Sequence, residues 1–321
     1  MSQSMPAIPS TRALRLQVAI GPESPDFGSW NWLGVDLANE LSIDHDVTCF
    51  RRDIPKADVV IFFKFLPDLN TLHSLRQHAC IIFCPVDIYG SAADIDTDVE
   101  RLRCCDRIIV HCKRLIHYFQ SYSPTTYLDH HLKYVIPTRR SPVTDGPLLW
   151  VGEQSNLQPM IAWLRDHFLP AELVILTNGH PESIGQVLSR FPIHWESWTH
   201  HNHLAWLQRC RAAFDIKGQD FRARHKPPAK TLDFLASGVP FAMSRPSSSV
   251  DHISSLGLDV PCPEDTDRWL SSGYAHECRD FGLLMTKSLS LNQLAERWCI
   301  VLNEVTRSRG ISDLRSIVWQ Y

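Results

Sequence analysis

The apolar positions in the first half of the chain fall in short runs that alternate with segments of helical spacing. The short runs predict strands, whereas Trp30, Leu33, Leu37 and Leu41 predict a helix because they recur every three or four positions. The predicted strands are 14–20, 45–50, 57–63, 80–85 and 106–111, with short candidates at 125–129 and 134–136, and the further helices are 70–78, 97–105 and 113–122. Strands that alternate with helices predict a parallel sheet with helices on both faces.

A polar segment at 137–147, which contains three prolines, separates this pattern from a second one of the same kind. The second half predicts strands at 148–151, 172–177, 193–198, 214–217 and 238–244, and helices at 158–167, 181–190, 202–213, 229–237, 248–256, 265–272, 276–286, 292–307 and 312–321. We therefore predict an α/β protein with an N-terminal domain at 1–140, a C-terminal domain at 141–305 and a helical tail at 306–321.

Parallel α/β sheets bind ligands at the carboxyl ends of their strands. If the two domains face each other, those ends line one shared cleft. The loops expected to form the site are 21–29, 86–90, 111–114, 152–157, 178–182 and 217–230.

Composition narrows the functional classes. The 321 residues are 44 % hydrophobic and 21 % charged, which is typical of a globular protein. A formal net charge of -3 argues against a nucleic-acid binder. We find no signal peptide and no run long enough to span a membrane, and none of the ten cysteines forms a Cys-x-x-Cys pair. We therefore expect a cytoplasmic protein with reduced thiols and no metal site.

A basic segment precedes the predicted helix at 229–237. Four Arg or Lys residues fall within 222–230, and Gly238 with Pro240 ends the helix. Cations at the positive end of a helix dipole favour a bound anion. The spacing therefore indicates that Arg222, Lys226 and Lys230 bind a phosphate or diphosphate. A solvated basic loop is the alternative.

Two further features accompany this anion site. Asp233 lies three residues after Lys230 on the same helix face, where its carboxylate could accept hydrogen bonds from ribose hydroxyls. A surface ion pair between the two is the alternative. Gly152 and Glu153 follow the first strand of the second domain, and the glycine would let a ligand approach the backbone closely.

The segment from Lys226 to Pro240, Lys-Pro-Pro-Ala-Lys-Thr-Leu-Asp-Phe-Leu-Ala-Ser-Gly-Val-Pro, resembles the donor-binding stretch of GT-B glycosyltransferases of the family 4 type. Leu149 to Gly152 resembles the strand and turn that open their donor domain. The resemblance implies two facing Rossmann-like domains, of which the C-terminal one binds a nucleotide-sugar and the N-terminal one binds the acceptor. It also implies a glycan, a lipid-linked sugar or a small molecule as acceptor, and it allows peripheral membrane contact.

This chain departs from the family pattern at two places. Retaining members usually carry two glutamates flanking seven residues, and here His225 and Asp233 occupy those positions. The loop after the first strand of the donor domain lacks the Arg and Lys that many relatives place there. We expect the cations at 222, 226 and 230 to neutralise the leaving diphosphate instead, with no metal and no cofactor. The resemblance implies transfer with retention of configuration.

An inverting reaction would need a general base near the acceptor hydroxyl. Asp26, Asp87 and His111 are the candidates because each lies in a loop at a strand end, although each also fits a role as a turn or cap residue.

For the acceptor we expect Gly28, Trp30 and Trp32 to contribute, since aromatic faces stack on sugars. The helical spacing of Trp30 also fits a core position.

Three functions remain open at this point. The first is a glycosyltransferase, and the second is a sugar-nucleotide epimerase or hydrolase of the same fold. The third is a non-catalytic nucleotide-binding module with a degenerate donor site, which the departures from the family pattern favour. A nicotinamide-dependent oxidoreductase is disfavoured because no Gly-x-Gly-x-x-Gly follows the first strand of either half.

Overall fold

A computed structural model describes residues 15–179 and 190–310. The predicted helices at 181–190 and 312–321 therefore lie wholly or largely outside the described residues, as does the first residue of the predicted strand 14–20. No helix in the described ranges is long and apolar enough to cross a membrane.

The N-terminal half forms a sheet of six parallel strands in the order β2-β1-β3-β4-β5-β6. The strands are β1 Gln17–Gly21, β2 Asp46–Cys49, β3 Val59–Phe63, β4 Cys80–Cys84, β5 Arg107–Val110 and β6 Thr125–Tyr127. Strands β3 and β4 are buried along their whole length. Their unbroken apolar runs follow from this position, because a central parallel strand is covered on both faces.

Short helices connect these strands. A π-helical segment, Trp30–Asp36, leads directly into the first α-helix, and the helices are α1 Leu37–Leu41, α2 Leu69–Leu75, α3 Ala92–Thr97, α4 Val99–Arg103 and α5 Lys113–Phe119. Asp68 and Ser91 cap α2 and α3 through side-chain hydrogen bonds to backbone N–H groups. Because Asp98 adopts a non-helical backbone between them, the predicted helix at 97–105 is divided between α3 and α4.

The C-terminal half forms a second parallel sheet in the order β11-β10-β7-β8-β9. Its strands are β7 Leu148–Val151, β8 Leu173–Thr177, β9 Ile193–Ser197, β10 Ala212–Asp215 and β11 Phe241–Met243. The helices of the described part are α6 Gln158–Asp166, α7 His200–Arg209, α8 Phe221–His225, α9 Ala229–Ser237, α10 Ser248–Ser255, α11 Thr266–Trp269, α12 Ser272–Ser288 and α13 Leu291–Ser308. Two parallel sheets with helices on both sides confirm the predicted fold class.

The last helix of the described residues crosses from one domain to the other. Trp298, Val301, Leu302 and Val305 of α13 are buried in the core of the N-terminal sheet. The sequence assigns residues up to 305 to the C-terminal domain, but packing places the apolar stripe of α13 in the first domain. The stripe itself is visible in the sequence, whereas the core that it joins is a tertiary property.

Other local predictions also differ from the structure. Residues 134–136 form no strand, and Tyr134 instead stacks on His200 with ring centroids 3.9 Å apart. The basic stretch at 217–230, expected as a loop, contains the short helix α8, whose start Asp220 caps by accepting a hydrogen bond from the Ala223 N–H. The missed signal is an N-cap aspartate directly before the segment.

Candidate donor site

The order of the strands locates a crevice in each sheet. In the C-terminal sheet β7 lies between β8 and β10, so the strand order reverses at β7 and the loops after β7 and β10 diverge. Ligands bind at such a switch point in open α/β sheets. Gly152 follows β7 and Lys217 follows β10, and both therefore lie at this crevice.

A buried carboxylate holds two lysines at the crevice. The Nζ atom of Lys217 lies 2.7 Å from Oδ2 of Asp215, and Nζ of Lys230 lies 3.2 Å from the same oxygen. The Asp215 side chain is 4 % exposed, whereas that of Lys230 is 26 % exposed. Two cations against one anion leave a net positive charge, which is available to an anionic ligand.

The pKa values in this cluster follow from burial and from the paired charges. Burial alone would raise the pKa of Asp215, but Lys217 and Lys230 together lower it to about 2. Burial lowers the pKa of Lys230 to about 8, against the opposing effect of Asp215. Lys230 is therefore a cation at neutral pH that stands close to losing its proton.

Gly152 and Trp150 form the floor beneath Lys230. Nζ of Lys230 lies 5.1 Å from the centre of the Trp150 ring. A Cβ atom at position 152 would lie 2.7 Å from the Trp150 ring and 3.3 Å from Nζ of Lys230. Only glycine avoids these contacts, so packing against Trp150 and Lys230 requires it here, and the predicted close approach of a ligand at Gly152 stays a prediction.

Lys226 stands beside the first turn of α9. Its Nζ donates to Oδ1 of Asn156 at 3.0 Å, and its carbonyl accepts from the Ser248 hydroxyl at 2.5 Å. Pro228 occupies the N-cap of α9, and Gly238 ends the helix with a positive φ of 72°. The N-terminus of α9 therefore points its free N–H groups toward the same region as Lys226 and Lys230.

Arg222 contacts the other domain. Its Nη2 donates to the Ile88 carbonyl of the N-terminal domain at 2.9 Å. Its carrier helix α8 contacts Tyr118 through Phe221 and His225, with ring centroids 5.2 and 5.5 Å apart. Arg222 thus joins the two domains in this structure, and its predicted contact with a diphosphate stays a prediction.

Asp233 is buried within α9. It is 5 % exposed, its Oδ2 lies 3.9 Å from Nε2 of His203, and its Oδ1 has no hydrogen-bond partner among the described residues. Burial raises the pKa of Asp233 to about 7 and lowers that of His203 to about 4. The predicted ribose contact stays a prediction, and in this structure the unsatisfied carboxylate oxygen is buried away from solvent.

Glu153, the second predicted residue of the donor loop, is exposed and precedes a single turn of 3-10 helix, Gln154–Asn156. The Gln154 N–H donates to Oδ1 of Asn178 at 2.9 Å, which joins the loops after β7 and β8.

The three base candidates occupy different environments. Asp26 is exposed in the loop after β1, and Asp87 pairs with Lys64 at 2.5 Å after β4. His111 is 2 % exposed, and its Nδ1 lies 2.9 Å from the Leu128 carbonyl. Burial lowers the pKa of His111 to about 4, so its ring is neutral at pH 7. A role for any of the three as a general base stays a prediction.

The predicted acceptor residues also differ from one another. Gly28 is exposed with open space around it, whereas Trp30 is 5 % exposed and packs edge-on against Phe63 in the core. Trp32 is half-buried, donates from Nε1 to the His131 carbonyl at 2.9 Å and packs edge-on against His130. Trp30 therefore occupies the core position that its helical spacing allows.

Sequence reasoning missed Asp215 and Lys217. Asp215 ends an apolar strand and Lys217 follows two residues later, directly before the basic stretch. A carboxylate at the end of a buried strand is costly to bury without a partner. The cost of burying the Asp215 carboxylate therefore predicts that cations contact it.

No protein-family model matches the chain, and no curated protein matches its sequence. Solved structures do match it. Sucrose-phosphate synthase from Thermosynechococcus elongatus is 11 % identical with a TM-score of 0.64, covering 92 % of this chain and 100 % of that one. HepE from Anabaena, in complex with UDP and glucose, is 8 % identical with a TM-score of 0.64, covering 90 % and 100 %. AviGT4, a glycosyltransferase involved in avilamycin A biosynthesis, is 13 % identical with a TM-score of 0.58, covering 91 % and 97 %.

These likenesses extend over both domains and over nearly the whole length of each matched chain. At such low identities they show the fold. The two Rossmann-like domains meet at contacts such as that of Arg222 with Ile88. This confirms the GT-B fold that the 226–240 segment predicted. The chain has the GT-B fold.

Proposed function

We propose that the protein is a glycosyltransferase that moves a sugar from a nucleoside-diphosphate sugar to an acceptor hydroxyl. The observation that carries the proposal is the pair Lys217 and Lys230, held by buried Asp215 at the switch point of the C-terminal sheet. Lys226 and the N-terminus of α9 add positive charge to the same region. The fold supports this assignment, since the matched structures include glycosyltransferases.

The chemistry of the transfer requires positive charge at this place. The bond between the anomeric carbon and the diphosphate oxygen breaks, the acceptor oxygen bonds to that carbon, and the acceptor hydroxyl gives its proton to the departing diphosphate. Negative charge builds on the departing diphosphate, and fixed cations in a partly buried site stabilise it. Lys230 suits this role because a bound diphosphate would hold its proton in place.

We propose a nucleotide-sugar donor, a metal-independent reaction and retention of configuration as finer points of this function. The support for the donor is that HepE was solved with UDP-glucose and that the pneumococcal O-GlcNAc transferase GtfA was solved with UDP and GlcNAc. The support for metal independence is that Lys217, Lys226 and Lys230 supply the positive charge. The support for retention is the carboxylate of Asp233 at the second acidic position of the family pattern.

The test is nucleotide binding, which thermal unfolding and calorimetry measure. The ligands are UDP, GDP, ADP, their sugars and pyrophosphate. We expect one nucleotide to raise the unfolding temperature, with and without EDTA, because a ligand of the native state stabilises it. Lys230→Ala is expected to weaken that nucleotide by at least about tenfold, the effect of losing one charged contact. Affinity in the parent protein should fall as the pH rises through about 8, where Lys230 loses its charge.

Lys287→Ala is the matched control, because Lys287 is an exposed lysine of the same domain on α12. It should leave the nucleotide affinity unchanged. Equal affinities in Lys230→Ala, Lys226→Ala and the control would contradict the assignment of the diphosphate site. An EDTA-sensitive affinity would contradict metal independence, and an inverted anomeric signal in the product by NMR would contradict retention.

A non-catalytic nucleotide-binding protein is the second candidate. The observation that favours it is His225, which replaces the first acidic residue of the family pattern and packs between Phe221 and Tyr118 at the domain contact. This protein would bind a nucleotide through the same lysines and show no turnover.

A further inference from the structure

Two histidines of the C-terminal domain are buried where that domain touches the N-terminal one. His225 ends α8 and is 9 % exposed, and His252 lies on α10 and is 6 % exposed. His225 packs against α5 and His252 packs against β6, so α5 and β6 of one domain and α8 and α10 of the other form a seam. Histidine ordinarily changes its charge near neutral pH. The contact between the domains therefore contains two groups that acid can charge.

His252 fits its surroundings as a neutral ring. Its Nδ1 lies 3.1 Å from the Tyr127 hydroxyl, which donates to Oδ1 of Asp129 at 2.7 Å. Because the carboxylate takes the tyrosine proton, Nδ1 donates to the tyrosine oxygen and Nε2 keeps a lone pair. That Nε2 atom is buried, has no hydrogen-bond partner among the described residues and lies 3.5 Å from Oδ1 of Asp129.

The charges nearest to His252 are already paired. Arg297 of α13 contacts Oδ2 of Asp129 at 2.6 Å, so the carboxylate that faces the ring has its own cation. Nζ of Lys113 lies 5.3 Å from the centre of the Tyr127 ring, on which His252 packs. A protonated His252 would therefore add a further positive charge to a buried cluster that holds a carboxylate, an arginine and a lysine.

Helix α5 also contacts α10 directly. Arg114 pairs with Asp251 at 2.6 Å, and Nζ of Lys113 donates to the Ser255 hydroxyl at 3.3 Å. Burial raises the pKa of the Cys112 thiol at the N-cap of α5, so this group stays neutral. The second carboxylate of the seam is thus also matched by an arginine, and no negative charge is left over for a histidinium.

His225 lies at the other end of the same seam. Its ring packs edge-on against Tyr118 of α5 with the ring centroids 5.5 Å apart, and its Nδ1 lies 2.7 Å from the Phe221 carbonyl. Arg222 of the same helix donates to the Ile88 carbonyl of the N-terminal domain. Helix α8 therefore reaches the other domain through two aromatic rings and one arginine.

The charges around His225 also oppose its protonation. Burial lowers the pKa of His225, and Arg114 and Arg224 lower it further, against the effect of the hydrogen bond to the Phe221 carbonyl. The other titratable or charged side chains that line this space are Asp87, Tyr89 and Arg222. Because Asp87 is paired with Lys64, it offers no unpaired negative charge to a histidinium.

The pKa values of both histidines therefore depend on whether the domains touch. Burial lowers the pKa of His252, and Lys113 lowers it further, against the effect of Asp129. When the domains separate, both rings enter water and their pKa returns to the ordinary value of about 6.5. The state in which a group has the higher pKa gains population as the pH falls. Acid therefore favours separation of the domains.

We propose that His225 and His252 form a proton-operated latch, which holds the seam closed when both rings are neutral and releases it when they are protonated. His225 directly precedes Lys226, so release of the seam opens the crevice where the lysines lie. The latch would regulate access to that crevice whichever ligand binds there. It does not depend on sugar transfer, and its test uses no nucleotide and no sugar, so the two proposals fail separately.

The test is small-angle X-ray scattering of the full chain, separated on a size-exclusion column, over a series of pH values. The series ends at about pH 5, because carboxyl groups ordinarily titrate near 4. We expect the radius of gyration to rise as the pH falls below about 6.5, while the far-UV circular dichroism spectrum stays unchanged. A constant radius, or a rise that accompanies loss of helical signal, would overturn the latch.

The His225→Gln/His252→Gln double variant should keep the radius of the parent at the alkaline end of the series and should lose the rise in acid, because glutamine stays neutral. His203→Gln is the matched control, since His203 is 3 % exposed and lies inside the C-terminal domain beside Asp233. It should expand as the parent does. Equal expansion of the double variant and the control would overturn the assignment to His225 and His252.

A second measurement decides the case in which the double variant is already expanded at the alkaline end. Histidine ring resonances of the parent are followed by NMR over the same pH series, and those of His225 and His252 are identified by their absence in the single variants. We expect both to titrate together with the change in radius. Titration at a pH where the radius does not change would overturn the latch.

Discussion

At the scale of single residues, the C-terminal domain separates two carboxylates by their surroundings. Asp215 contacts two lysines and has its pKa lowered to about 2, whereas Asp233 has no cation in contact among the described residues and has its pKa raised to about 7 by burial. The first carboxylate is a permanent anion that positions Lys217 and Lys230. The second titrates near neutrality, as expected for a buried group that lacks a partner.

Asp233→Asn tests this difference through the pH dependence of stability. The pKa of Asp233 is higher in the folded than in the unfolded state, so its protonated form favours folding below pH 4, and that contribution is lost as the pH rises toward 7. As the pH rises from 4 to 7, the free energy of unfolding of the asparagine variant should therefore increase relative to that of the parent, by on the order of 1 kcal/mol or more. Chemical denaturation at a series of pH values measures it, and parallel stability curves for the two proteins would contradict the assignment.

At the scale of elements, the site depends on how α9 packs against α12. The apolar spacing, the proline pair and Gly238 allowed the bounds of α9 to be predicted at 229–237, and the structure has the same bounds. The contact with α12 could not be predicted, because α12 begins only at Ser272, far along the chain from the end of α9 at Ser237. A Cβ atom at Gly282 of α12 would lie 1.8 Å from the Leu235 carbonyl oxygen. The two helices therefore touch backbone to backbone at this point.

Gly282→Ala should destabilise the protein by about 1–3 kcal/mol, because the added methyl group must push the helices apart. Gly273→Ala on the same helix is the matched control, since nothing lies within 4 Å of a Cβ there, and its stability should be unchanged or slightly higher. Denaturant unfolding measures both. Equal stability of the two variants would show that α9 and α12 are not in close contact.

At the scale of the whole molecule, the two domains are joined more extensively than the sequence indicates. Alternating strands and helices predicted both sheets and the position of the linker, because each is recorded in local periodicity. The return of α13 to the first domain could not be predicted, because it joins positions that are distant in the chain. The convergence of lysines on Asp215 had a signal in the sequence, which is a carboxylate at the end of a buried strand. Arg297 of α13 also pairs with Asp129 after β6 at 2.6 Å.

Leu302→Ala tests the crossing of α13. Leu302 is fully buried in the core of the N-terminal sheet, so the variant should lose about 2–5 kcal/mol of unfolding free energy. Ile300→Ala on the same helix is the control, because Ile300 is 59 % exposed and its replacement should change stability by less than about 0.5 kcal/mol. A small effect of Leu302→Ala would place α13 outside that core.

We propose that the protein transfers sugar from a nucleotide donor. The release of nucleoside diphosphate from a panel of nucleotide-sugars tests this proposal, with methyl glycosides of glucose, galactose, mannose and N-acetylglucosamine as acceptors. We expect one donor to turn over, with a rate that rises when an acceptor is added and that falls by at least about tenfold in Lys230→Ala. A nucleotide that binds through Lys230 but shows no turnover with any donor or acceptor would contradict the claim and identify a nucleotide-binding protein instead.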